Sequence, residues 1–264
     1  MKSIIICADD YGQSFHVSQG IRKLLLAGKI NATSCMVSFP CWEECASRLK
    51  ELEVKNMYIG LHLNLTEGPA LTKISKITKQ GNFMGLNTLL LRSFTRQLKF
   101  QEVYNELEAQ LKMFILYFGV TPNFIDGHQH IHHFPIVRDA LLKLYQSYDL
   151  FNYSVFIRSV YNMVSSKGLK PFIIRATGSR LLEKTLKRNG IPYNSSFAGV
   201  YDFHSKVLFR DYFNSFLTCI KDEGIVMCHP GEENDNAINR KVELDYFFSD
   251  KYLEDMKNNN IRLK

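Results

Sequence analysis

Ser3-Ile4-Ile5-Ile6-Cys7-Ala8-Asp9-Asp10-Tyr11-Gly12 is the stretch on which the reading of this chain turns. Residues 3–7 are almost wholly apolar, as a strand covered on both faces of a parallel sheet must be. Two adjacent acids close the run, and an amphipathic helical pattern follows over residues 17–27. The same order then recurs. Strands are expected at 32–38, 58–63, 123–126, 153–157, 224–228 and 261–263, and helices at 43–52, 101–118, 135–148, 209–221 and 253–258. Val103, Leu107, Leu111 and Ile115 recur every fourth residue in the clearest of these helices. Pro135 stands where a first helical turn tolerates proline. Strand, loop and helix in alternation predict a parallel sheet with helices outside it. The expected fold is therefore α/β, a TIM-like (β/α) barrel, complete or interrupted. With 264 residues and no linker, repeat or low-complexity tract, residues 1–264 read as one domain. Gly68–Leu98 is the least regular part and reads as an excursion or a lid.

Composition narrows the class. At 45% hydrophobic and 22% charged residues the chain is neither collagenous, nor a disulfide mini-scaffold, nor wholly disordered. The net charge is +7, but the basic residues are scattered without a long run, so they read as solvated surface rather than as a nucleic-acid site. Cys7, Cys35, Cys41, Cys45, Cys219 and Cys228 form no paired Cys-x-x-Cys sets and read as reduced thiols. The N-terminal apolar run is too short for a signal peptide, and no stretch is long enough to span a bilayer. A cytoplasmic protein is expected, and a homo-oligomer is compatible with the sequence.

Chemistry concentrates at four places, each at the carboxyl end of an expected strand. Asp9 and Asp10 are the first. Next is His62, inside the otherwise apolar Gly60-Leu61-His62-Leu63-Asn64-Leu65. The third, Asp126-Gly127-His128-Gln129-His130-Ile131-His132-His133, holds half of the eight histidines within six positions. The fourth is His229 in Met227-Cys228-His229-Pro230-Gly231. Carboxyl ends of barrel strands share one rim, where barrel active sites lie. One carboxylate and two imidazoles can hold a divalent ion with positions left open, a second carboxylate can take a proton from water, and a further histidine can protonate a leaving amine. The inventory fits metal-assisted hydrolysis of an amide or ester.

With these blocks laid out, the chain resembles the YdjC-like carbohydrate deacetylase family, which includes chitooligosaccharide deacetylases. Ala8-Asp9-Asp10-Tyr11-Gly12 is similar to the family's N-terminal signature. Gly60–Thr66 with Gly68-Pro69, Asp126–His132 and Cys228-His229-Pro230-Gly231 are similar to its later blocks. The resemblance implies a deacetylase barrel that removes acetyl from an N-acetylated sugar or oligosaccharide and releases acetate. It implies a single metal ion on Asp10, His62 and His128, with Asp9 as general base. His229 is the candidate acid, and His132 a supporting or substitute ligand. Arg158 is similar to a family arginine lining the substrate cleft, and Tyr11 and Phe197 are aromatic candidates for positioning the sugar. The resemblance points to magnesium, whereas two imidazoles and a carboxylate also suit zinc. Another metal hydrolase of phosphoesterase type, or a sugar-binding relative without turnover, stands as the alternative. The chain departs from the family at Gln13-Ser14-Phe15-His16 and over residues 170–201 apart from Phe197-Ala198-Gly199, regions expected to shape the sugar cleft.

Overall fold

The first strand sets the frame. β1 (Lys2–Tyr11) lies between β2 (Ala32–Cys35) and β9 (Ile225–Cys228), both parallel to it. Ile4, Ile6 and Ala8 pack outward among the helices, while Ile5 and Cys7 join Phe124, Phe197, Ile225 and Met227 in a second, inner cluster. Two apolar environments on the two faces of one strand explain why the run 4–8 is apolar without alternation.

A computed structural model describes all residues except 53, 55, 165–168, 204–206 and 235–238, and only the backbone of 169 and 170. After α1 (Phe15–Leu26), β2 and α2 (Trp42–Lys50) come β3 (Tyr58–Leu63) and a small hairpin, β4 (Thr78–Lys79) with β5 (Asn82–Phe83). α3 (Leu86–Phe94) and α4 (Phe100–Phe118) lead to β6 (Phe124–Gly127), α5 (Val137–Ser147) and β7 (Phe156–Ile157). Next come α6 (Leu169–Ile174), α7 (Arg180–Arg188), β8 (Phe197–Ala198) and α8 (Phe209–Cys219). β9, α9 (Arg240–Phe248), α10 (Asp250–Asn258) and β10 (Ile261–Leu263) complete the chain. The sheet runs β7-β6-β3-β2-β1-β9-β8, with β10 pairing the start of β1. An isolated parallel bridge pairs Met163, six residues beyond β7, with Phe197 of β8. The expected α/β barrel is therefore present in its interrupted form, a half-barrel of parallel strands with helices outside.

Local signals fix several boundaries. Ser14 caps α1, its hydroxyl accepting from the backbone N–H of Val17 at 3.2 Å. Gly119 ends α4 in the left-handed conformation. The strand expected at 153–157 is only Phe156–Ile157, because the chain turns through Ser154 at φ 55°. α3, α6, α7, α9 and β8 were not anticipated. All six cysteines are free, and four of them are buried. Among the described residues no helix is long and apolar enough to cross a membrane.

Gly199 follows β8 at φ 116°, where an added Cβ would lie 2.3 Å from the carbonyl oxygen of Met227. Backbone cannot yield as a side chain can. Gly199→Ala is expected to cost about 3 kcal/mol through strain and overpacking, read as a lowered midpoint in urea unfolding.

Candidate functional site

Strand parity puts Asp9 on the inner face with Ile5 and Cys7. By the same rule Asp10 should follow Ile4, Ile6 and Ala8 outward. It does not, because Asp10 is left-handed at φ 70° and the pairing of β1 with β2 shifts register between Ala8 and Tyr11. Aspartate tolerates that region better than most residues, and the local bulge re-aims its side chain. Both carboxylates therefore face one cavity of about 1270 Å³, which His62, Glu67, His128, His130, His229 and Arg240 also line.

Asp10 is the meeting point. Its Oδ1 lies 2.9 Å from His128 Nδ1 and 3.5 Å from His62 Nε2, and these three side chains form one group able to hold a metal ion. β3 delivers His62 and the turn after β6 delivers His128. On its other edge His62 Nδ1 meets Asp126 Oδ1 at 2.6 Å, and Ser34 Oγ donates to the same oxygen at 2.6 Å. A carboxylate there fixes the Nδ1–H tautomer and leaves Nε2 its lone pair, as orienting groups behind a metal ligand do. Burial opposes a charged imidazolium at His62, but Asp126 and Asp9 outweigh it and raise its pKa to about 10. At His128 the Asp10 charge likewise overcomes burial, raising it to about 9. The pocket thus attracts positive charge. A divalent cation is positive charge of the right kind for one carboxylate and two imidazoles, so the residues fit such an ion.

Asp9 stands apart from that group. Arg158 donates to both of its oxygens, Nη1 to Oδ2 at 2.7 Å and Nη2 to Oδ1 at 2.8 Å, and Nη2 also lies 2.7 Å from Asp126 Oδ2. Asp9, His62 and Asp126 form a second group with metal-ligand spacing. There the guanidinium already supplies the cation, which leaves the Asp10 group as the better place for a metal.

Several expectations need correcting. Arg158 does not line the cleft. It is buried between the rings of Phe124 and Phe197, 5.6 and 5.9 Å from their centroids, and reaches the site only through Asp9 and Asp126. Phe197 is fully buried beneath it and supports the arginine, not a ligand. Tyr11 is also fully buried, its hydroxyl donating to the Cys45 carbonyl at 2.6 Å, because the bulge at Asp10 turns the next side chain into the helical layer. His132 is buried away from the Asp10 group, with Nε2 3.0 Å from the Arg158 carbonyl. His229 does line the cavity, its backbone N–H donating to Glu243 Oε2 at 2.6 Å.

Other contributors had little or no signal in the sequence. Arg240 donates to Asp10 Oδ2 at 2.8 Å and to Gln13 Oε1 at 2.9 Å. Glu67 Oε1 lies 3.2 Å from His128 Nε2 and accepts from Gln129 at 2.8 Å. Glu243 also accepts from Tyr201, and burial pushes its pKa up to about 7. Asp126 and Glu67 fall inside the sequence blocks read above and were open to discovery there. Arg240 and Glu243 lie on an unanticipated helix.

The family model of YdjC-like proteins matches residues 3–258. The chain belongs to the YdjC-like family. Among curated relatives of this YdjC-like protein, a carbohydrate deacetylase of Danio rerio is 32% identical over 56% of the chain and 47% of the relative. A chitooligosaccharide deacetylase of Proteus mirabilis is 34% identical over 52% of the chain and 54% of the relative. The chain thus spans about half the length of the curated relatives it matches. Among solved structures, a putative cellobiose-phosphate cleavage protein from Enterococcus faecalis superposes over 100% of this chain and 97% of that one, at TM-score 0.76 and 20% identity. A family 4 carbohydrate esterase from Streptomyces lividans covers 99% of this chain and 91% of its own, at TM-score 0.50 and 9% identity. These two likenesses concern the fold alone: this YdjC-like protein shares its α/β barrel-like architecture with both.

Burial holds the pKa of His132 down at about 4 and those of His130 and His133 well below the usual value. Between the unfolded value of about 6.5 and the folded values, only the unfolded chain takes up these protons. The stability from burying them neutral is complete above about pH 6.5 and is lost as pH falls toward 4. Glu243, whose folded carboxyl takes its proton near pH 7, opposes this loss as one group against three, so urea midpoints measured from pH 7 down to pH 4.5 should still decline; a flat or rising profile would refute the neutral burial of these rings.

Proposed function

We propose that this YdjC-like protein is a metal-dependent hydrolase that removes the acetyl group from an N-acetylated sugar. The observation that carries this reading is the unequal treatment of two neighbouring acids. Asp10 converges with His62 and His128 on one point, while Asp9 faces the same cavity with both oxygens held by Arg158. That asymmetry suits a metal ligand beside a general base.

Asp10, His62 and His128 would hold the ion, magnesium by resemblance or zinc by donor type. When bound, such an ion polarises a carbonyl and lowers the pKa of a water. Asp9 takes the proton from the attacking water, its orientation fixed by Arg158. His229 gives a proton to the departing amine as the C–N bond breaks, leaving acetate and a free amino sugar. The Glu243 contact with its backbone holds the His229 loop against α9. The size of the cavity suits a sugar of more than one ring. Arg158 in the second acidic group favours one ion over the two or more of a typical phosphoesterase site.

Acetate release from a panel of N-acetylated mono- and oligosaccharides, with magnesium or zinc added back after chelation, tests the reading. Activity on none of them with either ion would sink it. Asp9→Asn should lower kcat at least a hundredfold while leaving divalent-ion affinity, measured by calorimetry, near its original value. Asp126→Asn should do the opposite at the ligand level. It weakens divalent-ion binding about ten- to a hundredfold by releasing His62 from its fixed tautomer, and unchanged affinity would remove Asp126 from that role.

A further inference from the structure

The excursion between β3 and α4 carries an uneven charge. From Gly68 to Lys99 there are six Lys and Arg residues and no acid, against +7 for the whole chain. Among the described residues only Lys99 of these six makes an ion pair, with Glu102. Lys73, Lys76, Lys79 and Arg96 are exposed. The same segment is unusually apolar at its surface. In α3, Leu86 and Leu90 line the cavity, and Phe94 continues that stripe at helical spacing. Phe94 is 47% exposed and its ring packs on Phe134, a cavity wall. Leu91 on the same helix is 58% exposed. In α6, Ile173 and Ile174 line the same cavity and Phe172 is 67% exposed. Arg175 and Arg180 follow, and no acid occurs in 169–182.

Apolar side chains that continue outward from a cavity mouth, on two segments whose charged residues are all basic, are unusual on a surface that meets only water. Two copies of this chain meeting face to face would oppose two such cationic segments, which argues against self-association. Snorkelling basic stems beside inserted leucine and phenylalanine suit the boundary between anionic headgroups and acyl chains. We propose that this face, α3 with the exposed end of α6, seats the chain on an anionic lipid bilayer with the cavity mouth turned toward the membrane. The docking is peripheral and does not depend on the deacetylase reading.

Co-sedimentation of the full chain with sucrose-loaded phosphatidylcholine vesicles, with and without phosphatidylglycerol, tests the seating without any assay of turnover. Binding is expected only with phosphatidylglycerol, and it should weaken as salt is raised. Lys79→Ser and Arg96→Ser should each lower partitioning about fivefold. Leu91→Ser with Phe172→Ser should lower it about tenfold with the circular dichroism spectrum unchanged. The exposed lysine and arginine variants keep the test open should the apolar pair misfold. Absence of binding to phosphatidylglycerol vesicles overturns the proposal. So does binding indifferent to charge, or a self-associated chain that Leu91→Ser with Phe172→Ser returns to monomer. Vesicle binding without acetate release would leave the seating intact and remove the deacetylase; acetate release without vesicle binding would do the reverse.

Discussion

Two carboxylates can lie together at the base of a largely apolar barrel only because Arg158 lies with them. Its guanidinium bridges Asp9 and Asp126, and breaking such a buried pair by removing one partner typically costs about 3–5 kcal/mol. Phe124 and Phe197 fix the arginine from either side. Asp126, held in turn, aims His62. One cation therefore organises the acid, the orienting carboxylate and, through it, a histidine.

Arg240 completes the division between the two acids. It takes Oδ2 of Asp10 and leaves Oδ1 turned to the histidines, whereas Arg158 engages both oxygens of Asp9. Identical residue types, adjacent in sequence, acquire different surroundings in this way. The left-handed backbone at Asp10 is the strained step that brings them to one cavity.

Much of this was legible beforehand. Apolar runs ending in Asp9-Asp10, at His62 and before His128 mark parallel strands whose ends share a rim, and the rim is where the structure brings those residues. What escaped is instructive. Arg158 is expected in the cleft by resemblance, and Tyr11 and Phe197 as aromatics that could position a sugar; neither resemblance nor residue type tells which way a side chain turns, and at Tyr11 the bulge reverses it. Arg240 sits in α9, whose hydrophobic period is weak because both a charged face and a polar network lie toward the barrel. The helices around 169–188 are interrupted near Gly178, which hides their period.

The pairing of Asp10 with Arg240 also orders events in time. The acid is made with β1, and its cation follows 230 residues later. Until α9 has been made the nascent chain holds a carboxylate destined for burial without this partner, so the corner around Asp10 cannot be sealed before then. A ribosome-stalled fragment lacking α9 would keep that corner wet.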